Sequence, residues 1–170
     1  MKNATDKTAP VAAPSKEARL AELLSAREWH ITFAESCTGG KAAARLVDVP
    51  NASAVFDVSF VTYANEAKVQ FLGVSPASIA AHGVVSEAVA AEMAAGAAKA
   101  AGAQVGVGIS GIAGPGGGTP EKPVGTVCFG FYMDGTCFTA TQHFGAIGRN
   151  AVREASVEYV YDTLLRQLKK

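Results

Sequence analysis

The 170-residue sequence predicts an α/β fold: a single layered α/β/α domain with a mixed sheet of about five strands, including a C-terminal hairpin. Three observations carry that expectation. Short apolar runs alternate with helical periodicity through the first two thirds of the chain, the pattern of βαβ units. An Asp134-Gly135 pair then separates two further apolar runs, a strong hairpin signal that adds antiparallel pairing. The hydrophobic fraction is 49% and the charged fraction 18%, which supplies a real core and argues against a disordered chain.

Residues 1–14 mix charge, Thr, Ala and Pro without periodicity and read as a disordered leader before a domain over 15–170. Ser15 caps a helical pattern in which Ala18, Leu20, Leu23, Leu24 and Trp29 recur. Ile31–Ala34 reads as a short buried strand, Glu35–Gly40 as a turn and Lys41–Val47 as the next helix. Val58–Thr62 is a second strand, followed by a short helix through Glu66–Leu72 that Gly73 stops. Ser75-Pro76 opens another turn of helix, ending near Gly83. Ser86 caps a long Ala-rich helix over Val89–Ala101, closed by Gly102. Val105–Ser110 is the third strand, and Gly111–Pro123 is a long loop with five Gly and three Pro. Val124–Tyr132 and Cys137–His143 form the hairpin, and Arg149–Leu168 is an amphipathic helix. No repeat and no linker divides the chain.

Several function classes fall away on composition. Fifteen Lys+Arg balance fifteen Asp+Glu, so the basic footprint of nucleic-acid binding is missing. No apolar run approaches the ~20 residues of a membrane helix, and Met1–Pro14 lacks the apolar stretch of a secretory signal. Three cysteines without CxxC spacing argue against a disulfide framework or a zinc ribbon and leave the cytoplasm as the expected compartment. His30, His82 and His143 share no metal-ligand spacing, so neither a metal nor another cofactor is expected. Gly106, Gly108 and Gly111 spell GxGxxG, but the first two sit inside a strand, where close packing explains them. Gly39-Gly40-Lys41 lacks both the earlier Gly and the following Ser/Thr of a phosphate loop. Asn51-Ala52-Ser53 is a glycosylation triplet that means nothing without a signal peptide.

Two loops and one helix start remain. Glu35-Ser36-Cys37-Thr38-Gly39-Gly40 places a hydroxyl and a thiol at the C-terminal end of a strand, the edge where open α/β sheets bind ligands. Its glycines sit at a helix N-terminus, where backbone N–H groups suit an anion, although capping by Ser36 or Thr38 explains the same residues. Ser110–Gly118 leaves another strand end and can wrap several N–H groups round a phosphate or amide. Tyr63-Ala64-Asn65-Glu66-Ala67-Lys68 follows the second strand, with Asn65 placed to cap the next helix. A desolvated Lys68 could act as base for a Ser nucleophile.

AESCTGG, FVTYANEAK, GVVSE and SGIAGPGGGTPEKPVGTV, in this order, resemble the CinA C-terminal domain family over about Ala18–Leu168. The family's members are nicotinamide-nucleotide amidases. The resemblance implies hydrolysis of nicotinamide mononucleotide to nicotinate mononucleotide and ammonia, in pyridine nucleotide salvage. Family members occur alone or behind an N-terminal domain similar to molybdopterin-binding proteins, and this chain is expected to be the stand-alone form. The resemblance further implies Ser36 as nucleophile, Lys68 as base, Tyr63 as proton relay or orienter, and Ser110 as a hydrogen-bonding partner of substrate or intermediate. Gly39 and Gly40 would supply N–H donors to the oxyanion. The Gly111–Gly118 backbone, Gly111 and Gly114 included, and Arg149 are candidates for the 5′-phosphate, with Arg153 one turn on.

Thr38, Ser53 and Asn65 complete the substrate-binding candidates, Ser53 either touching substrate or capping the next element. Cys37, intrinsically the better nucleophile, stands beside Ser36, and the motif match favours Ser36. A non-catalytic nucleotide-binding regulatory module, linked to competence or DNA damage, is the second reading, against which the intact Ser36, Tyr63 and Lys68 set counts. A homo-oligomer, a dimer in the first instance, is expected, with the Ala-rich Val89–Ala101 helix as a candidate contact.

Overall fold

Glycines on the central strands let one helix lie directly on the sheet. The computed structural model describes residues 13–169, so the leader expected over 1–14 lies almost wholly outside the described residues. The elements are α1 (Lys16–Ser25), β1 (Ile31–Glu35), α2 (Lys41–Val47), a 3-10 turn (Ala52–Ala54), β2 (Phe60–Val61), α3 (Asn65–Leu72), α4 (Pro76–His82), α5 (Glu87–Ala101), β3 (Val105–Gly111), β4 (Thr126–Met133), β5 (Thr136–His143) and α6 (Arg149–Leu168). The strands form one mixed sheet in the order β2-β1-β3-β4-β5. β1 pairs in parallel with β2 and β3, while β3–β4 and β4–β5 are antiparallel. The expected α/β/α layering with a hairpin is therefore the architecture of the domain.

Strand side chains alternate between faces, and in β3 large residues alternate with glycine over Val105–Ile109. Val105, Val107 and Ile109 of β3 and Val127, Phe129 and Phe131 of β4 bury against α1, α2 and α6, with Leu20, Leu24, Leu46, Val160 and Tyr161. Fully burying each such side chain contributes about 1.5–3 kcal/mol. The opposite face carries Gly106, Gly108 and Gly130. A β-carbon at Gly108 would stand 2.2 Å from the Ala90 carbonyl oxygen, and one at Gly130 2.1 Å from the same atom. The glycines thus let α5 lie on the sheet at backbone contact, which accounts for the GxGxxG spacing. Val89, Ala90, Met93, Ala94, Ala97 and Ala98 are all buried in this packing. These residues face the chain's own sheet, while Ala91, Ala95 and Gly96 of the same helix stay half-buried and Ala100 exposed.

Several boundaries differ from the sequence expectation. α1 ends at Ser25, because Glu28 takes a left-handed φ of 55° and Trp29 N–H donates back to Leu24 O, so Trp29 packs on the core from outside the helix. β2 has two residues, not five. The Thr32 hydroxyl donates to Val58 O (2.8 Å) and the Ser59 hydroxyl to Phe33 O (2.8 Å), so hydroxyls replace ladder bonds. β4 begins at Thr126 and β3 runs on to Gly111. α4 is a seven-residue helix, its first turn capped by Ser75 and reinforced by Glu92, which accepts from Ser75 N–H and the Ser78 hydroxyl. Among the described residues no helix is long and apolar enough to cross a membrane.

Candidate active site

The C-terminal end of β1 divides its side chains between the two faces. Ser36 N–H donates to Ile109 O (3.0 Å), continuing the parallel β1–β3 register, so Ser36 and Ser110 stand side by side at adjacent strand ends. Lys68 reaches Ser36 from α3, with Leu72 buried one turn further along that helix. Cys37 turns the other way, into the α1/α2/α6 core, and is 5% exposed. Burial pushes its thiol up to about 11, so at neutral pH it is protonated and a poor nucleophile. Of the two neighbours, Ser36 thus lies beside Lys68 while Cys37 packs into the core.

Lys68 is 1% exposed, and burial lowers its pKa, with the Cys37 and Glu66 charges opposing in lesser measure. Its Nζ donates to Thr62 O (2.8 Å) and Tyr63 O (3.2 Å) and lies 3.2 Å from Ser36 Oγ. A neutral amine has two N–H donors and one lone pair. A neutral amine would donate to the two carbonyls and accept from the Ser36 hydroxyl, and a charged one would donate to all three, so the contacts accommodate both protonation states.

The other expected site residues are placed as follows. Ser110 is buried and donates to Val84 O (2.7 Å), which holds its side chain beside Ser36. Tyr63 contacts Lys68 through its backbone carbonyl, while its ring is 63% exposed and its hydroxyl accepts from Arg149 Nη2 (3.0 Å). The Tyr63 hydroxyl is therefore not in the Ser36–Lys68 contact expected of a proton relay. Arg149 Nη1 donates to Gly114 O (2.9 Å), tying the Gly-rich loop to the start of α6. Gly111 ends β3 against Val127, where a β-carbon would stand 2.6 Å from a Val127 methyl. Thr38 is buried, and its hydroxyl has no hydrogen-bond partner among the described residues. Asn65 is the first residue of α3 and provides no cap, since Ala64 occupies that position without a side-chain bond. Ser53 is exposed in the 3-10 turn next to Val55, whose carbonyl accepts from Ile31 N–H at the start of β1. At ~3.3 Å per residue along β1, Ser53 is on the order of 15 Å from Ser36 and is not brought to it within the chain.

Gly39 and Gly40 need correction. Their φ values of 60° and 92° make the turn possible, but both amides are already engaged. Gly39 N–H donates to Ser36 O (3.1 Å) and Gly40 N–H to Glu35 Oε2 (3.0 Å), so neither is open to an oxyanion. The fully buried Glu35 carboxylate also accepts from Ala42 N–H (3.1 Å) and Ala43 N–H (2.9 Å). It occupies the N-terminus of α2, the place where an external anion was expected. Arg153 is likewise committed: Nε donates to Cys37 O (3.0 Å), Nη2 to Thr38 O (3.0 Å) and Nη1 to Asn150 Oδ1 (3.3 Å). Sequence reasoning missed Glu35. Its signal was a helix opening on Gly-Gly with no Ser, Thr, Asp or Asn cap, a donor set that some acceptor had to fill.

Known proteins share both sequence and fold with this chain. The family model described as the CinA C-terminal domain matches residues 14–168. The nicotinamide-nucleotide amidohydrolase PncC of Enterobacter agglomerans is 51% identical over 148 residues, 86% of this chain and 90% of that protein. A CinA-like protein of Chlorobaculum tepidum is 59% identical over 108 residues, 64% of this chain and 26% of that longer protein. The crystal structure of competence damage-inducible protein A from Klebsiella pneumoniae has a TM-score of 0.87 at 38% identity, covering 91% of this chain and 95% of that one.

Proposed function

Because the chain belongs to the CinA C-terminal domain family, we propose that it is a nicotinamide-nucleotide amidohydrolase, converting nicotinamide mononucleotide and water to nicotinate mononucleotide and ammonia. The observation that carries the residue-level reading is the buried Lys68 amine 3.2 Å from the Ser36 hydroxyl. Lys68 takes the Ser36 proton as Ser36 Oγ attacks the carboxamide carbon. The protonated amine then returns that proton to the departing nitrogen, which leaves as ammonia and an acyl ester on Ser36. Water, deprotonated by Lys68, hydrolyses the ester and restores both side chains.

The developing oxyanion needs donors other than the engaged Gly39 and Gly40 amides. Among the described residues, the Cys37 and Thr38 N–H groups of the same turn donate to no other residue, and we assign the oxyanion to them. Ser110, beside Ser36, borders the substrate carboxamide. Arg149 is the candidate for the 5′-phosphate: among the described residues its guanidinium is held only by a carbonyl and a hydroxyl, neutral partners that an anion can displace. In this reading the enzyme serves pyridine nucleotide salvage.

The test is ammonia release from nicotinamide mononucleotide by the purified chain, with Ser36→Ala and Lys68→Ala alongside. Turnover lost in both variants is the expected result. Turnover that survives Ser36→Ala removes Ser36 as nucleophile. Binding without any turnover in the wild type favours the nucleotide-binding regulatory module instead.

A further inference from the structure

We propose that Arg153 is a positioning residue that sets the geometry of the nucleophile turn; this rests on the reading of Ser36 as nucleophile. The turn Ser36–Gly39 closes through Gly39 N–H to Ser36 O (3.1 Å). The carbonyls of Cys37 and Thr38 both meet one guanidinium, at 3.0 Å each, and Thr38 O also accepts from Lys41 N–H (3.3 Å) at the start of α2. A trans peptide directs its N–H opposite to its C=O. Arg153 on Cys37 O therefore aims the Thr38 N–H away from α6, and Arg153 on Thr38 O aims the Gly39 N–H into the turn. On the far side the Glu35 carboxylate takes the amides of Gly40, Ala42 and Ala43. A cation thus holds the turn's carbonyls and an anion the amides that follow, with Ser36 leading the turn.

Two further features fit this role. Asn150 Oδ1 accepts from Nη1, which orients the guanidinium from its own helix. A β-carbon on Gly39 would stand 3.3 Å from Arg153 Nη2, so the glycine that makes the turn also leaves room for the fork. The contact needs two donors in one plane, which arginine presents and lysine does not.

The rival assignment is a direct contact between Arg153 and the substrate phosphate. Steady-state ammonia release from nicotinamide mononucleotide separates the two, measured for wild type, Arg153→Ala, Arg153→Lys and Ser36→Ala, with and without added guanidinium ion below denaturing concentration. Near-UV circular dichroism checks that each variant is folded, and Arg153→Lys serves if Arg153→Ala is not. Loss of the clamp is expected to lower kcat by about 100-fold while KM stays within about threefold. Guanidinium ion is expected to restore part of kcat in Arg153→Ala but not in Ser36→Ala. A raised KM with unchanged kcat overturns the proposal in favour of phosphate binding. Unchanged kcat and KM overturn it outright. If Ser36→Ala still turns over, the nucleophile reading fails and this proposal with it. If Ser36→Ala is inactive while the Arg153 variants are normal, the clamp alone fails.

Discussion

In the two central strands β3 and β4, one face of the sheet carries large side chains and the other carries Gly106, Gly108 and Gly130. Val105, Val107, Ile109, Phe129 and Phe131 interlock with α1, α2 and α6, where each ring fills volume. Gly106, Gly108 and Gly130 offer nothing to fill, and α5 lies against bare backbone. The candidate active site stands where the glycine-lined face ends. Ser36 and Ser110 are small polar residues at the tips of β1 and β3, with Lys68 brought in from α3. Their neighbour Cys37 belongs to the other face and is simply core. The same strand end therefore places a hydroxyl beside Lys68 and a thiol in the core one residue apart, because alternation sends them into different environments.

The most severe test of that division substitutes the two neighbours. Ser36→Ala is expected to lower kcat by on the order of 10³-fold or more. Cys37→Ala is expected to leave kcat within about threefold while costing about 1–2 kcal/mol of stability, since it removes only packing. Comparable loss of kcat in both, from steady-state kinetics, would break the comparison. Next in size are substitutions of opposite sense on β4. Phe129→Ala is expected to destabilise by about 3–5 kcal/mol through a cavity. Gly130→Ala, one residue on, is expected to destabilise by about 1–3 kcal/mol or more through overpacking against the Ala90 carbonyl. Urea titrations of both variants measure this, and a neutral Gly130→Ala would show that α5 has slack.

A third expectation sharpens the role of the glycine-lined face. Lys68 must be neutral to act as base, and its pKa is lowered by burial. The rate constant kcat/KM is therefore expected to fall with one-proton slope as pH drops through that lowered pKa, at a midpoint below the ordinary lysine value of 10.5. The unfolded chain binds this proton more tightly, so Lys68's contribution makes stability rise with pH between the lowered pKa and 10.5. A pH profile flat throughout this range would remove Lys68 as base. The smallest effect is expected at the exposed rim, where Tyr63→Phe removes only the hydroxyl that Arg149 holds. It should change kcat by less than about fivefold and act mainly on KM, as the bond lies in solvent, where a hydrogen bond is worth about 1 kcal/mol.

Much of the fold was legible because its signals are local. Gly73 and Gly102 stop α3 and α5, Ser75 and Ser86 cap α4 and α5, and Asp134-Gly135 turns the hairpin. β2 was overextended because nothing in Val58–Thr62 reveals that Thr32 and Ser59 hydroxyls take the carbonyls a longer ladder would use. In the candidate site, motif order singled out Ser36 and Lys68, which the fold brings to 3.2 Å of each other. Gly39 and Gly40 were read as open amides because glycine at a helix start is all that sequence displays. Their acceptors, Ser36 O and Glu35 Oε2, become visible only once the turn is closed.

What the sequence determined by itself is the periodicity: which residues alternate, where helices stop, and which short polar motif ends a strand. Those features depend on neighbours a few residues away, through backbone sterics and local hydrogen bonds. Which face a residue joins was decided only by tertiary packing, because parity along a strand has no sign until helices cover the two sides. The committed state of Arg153 was decided there too, since its carbonyl partners Cys37 and Thr38 lie 116 and 115 residues away in the chain and meet it only when α6 docks beside α2.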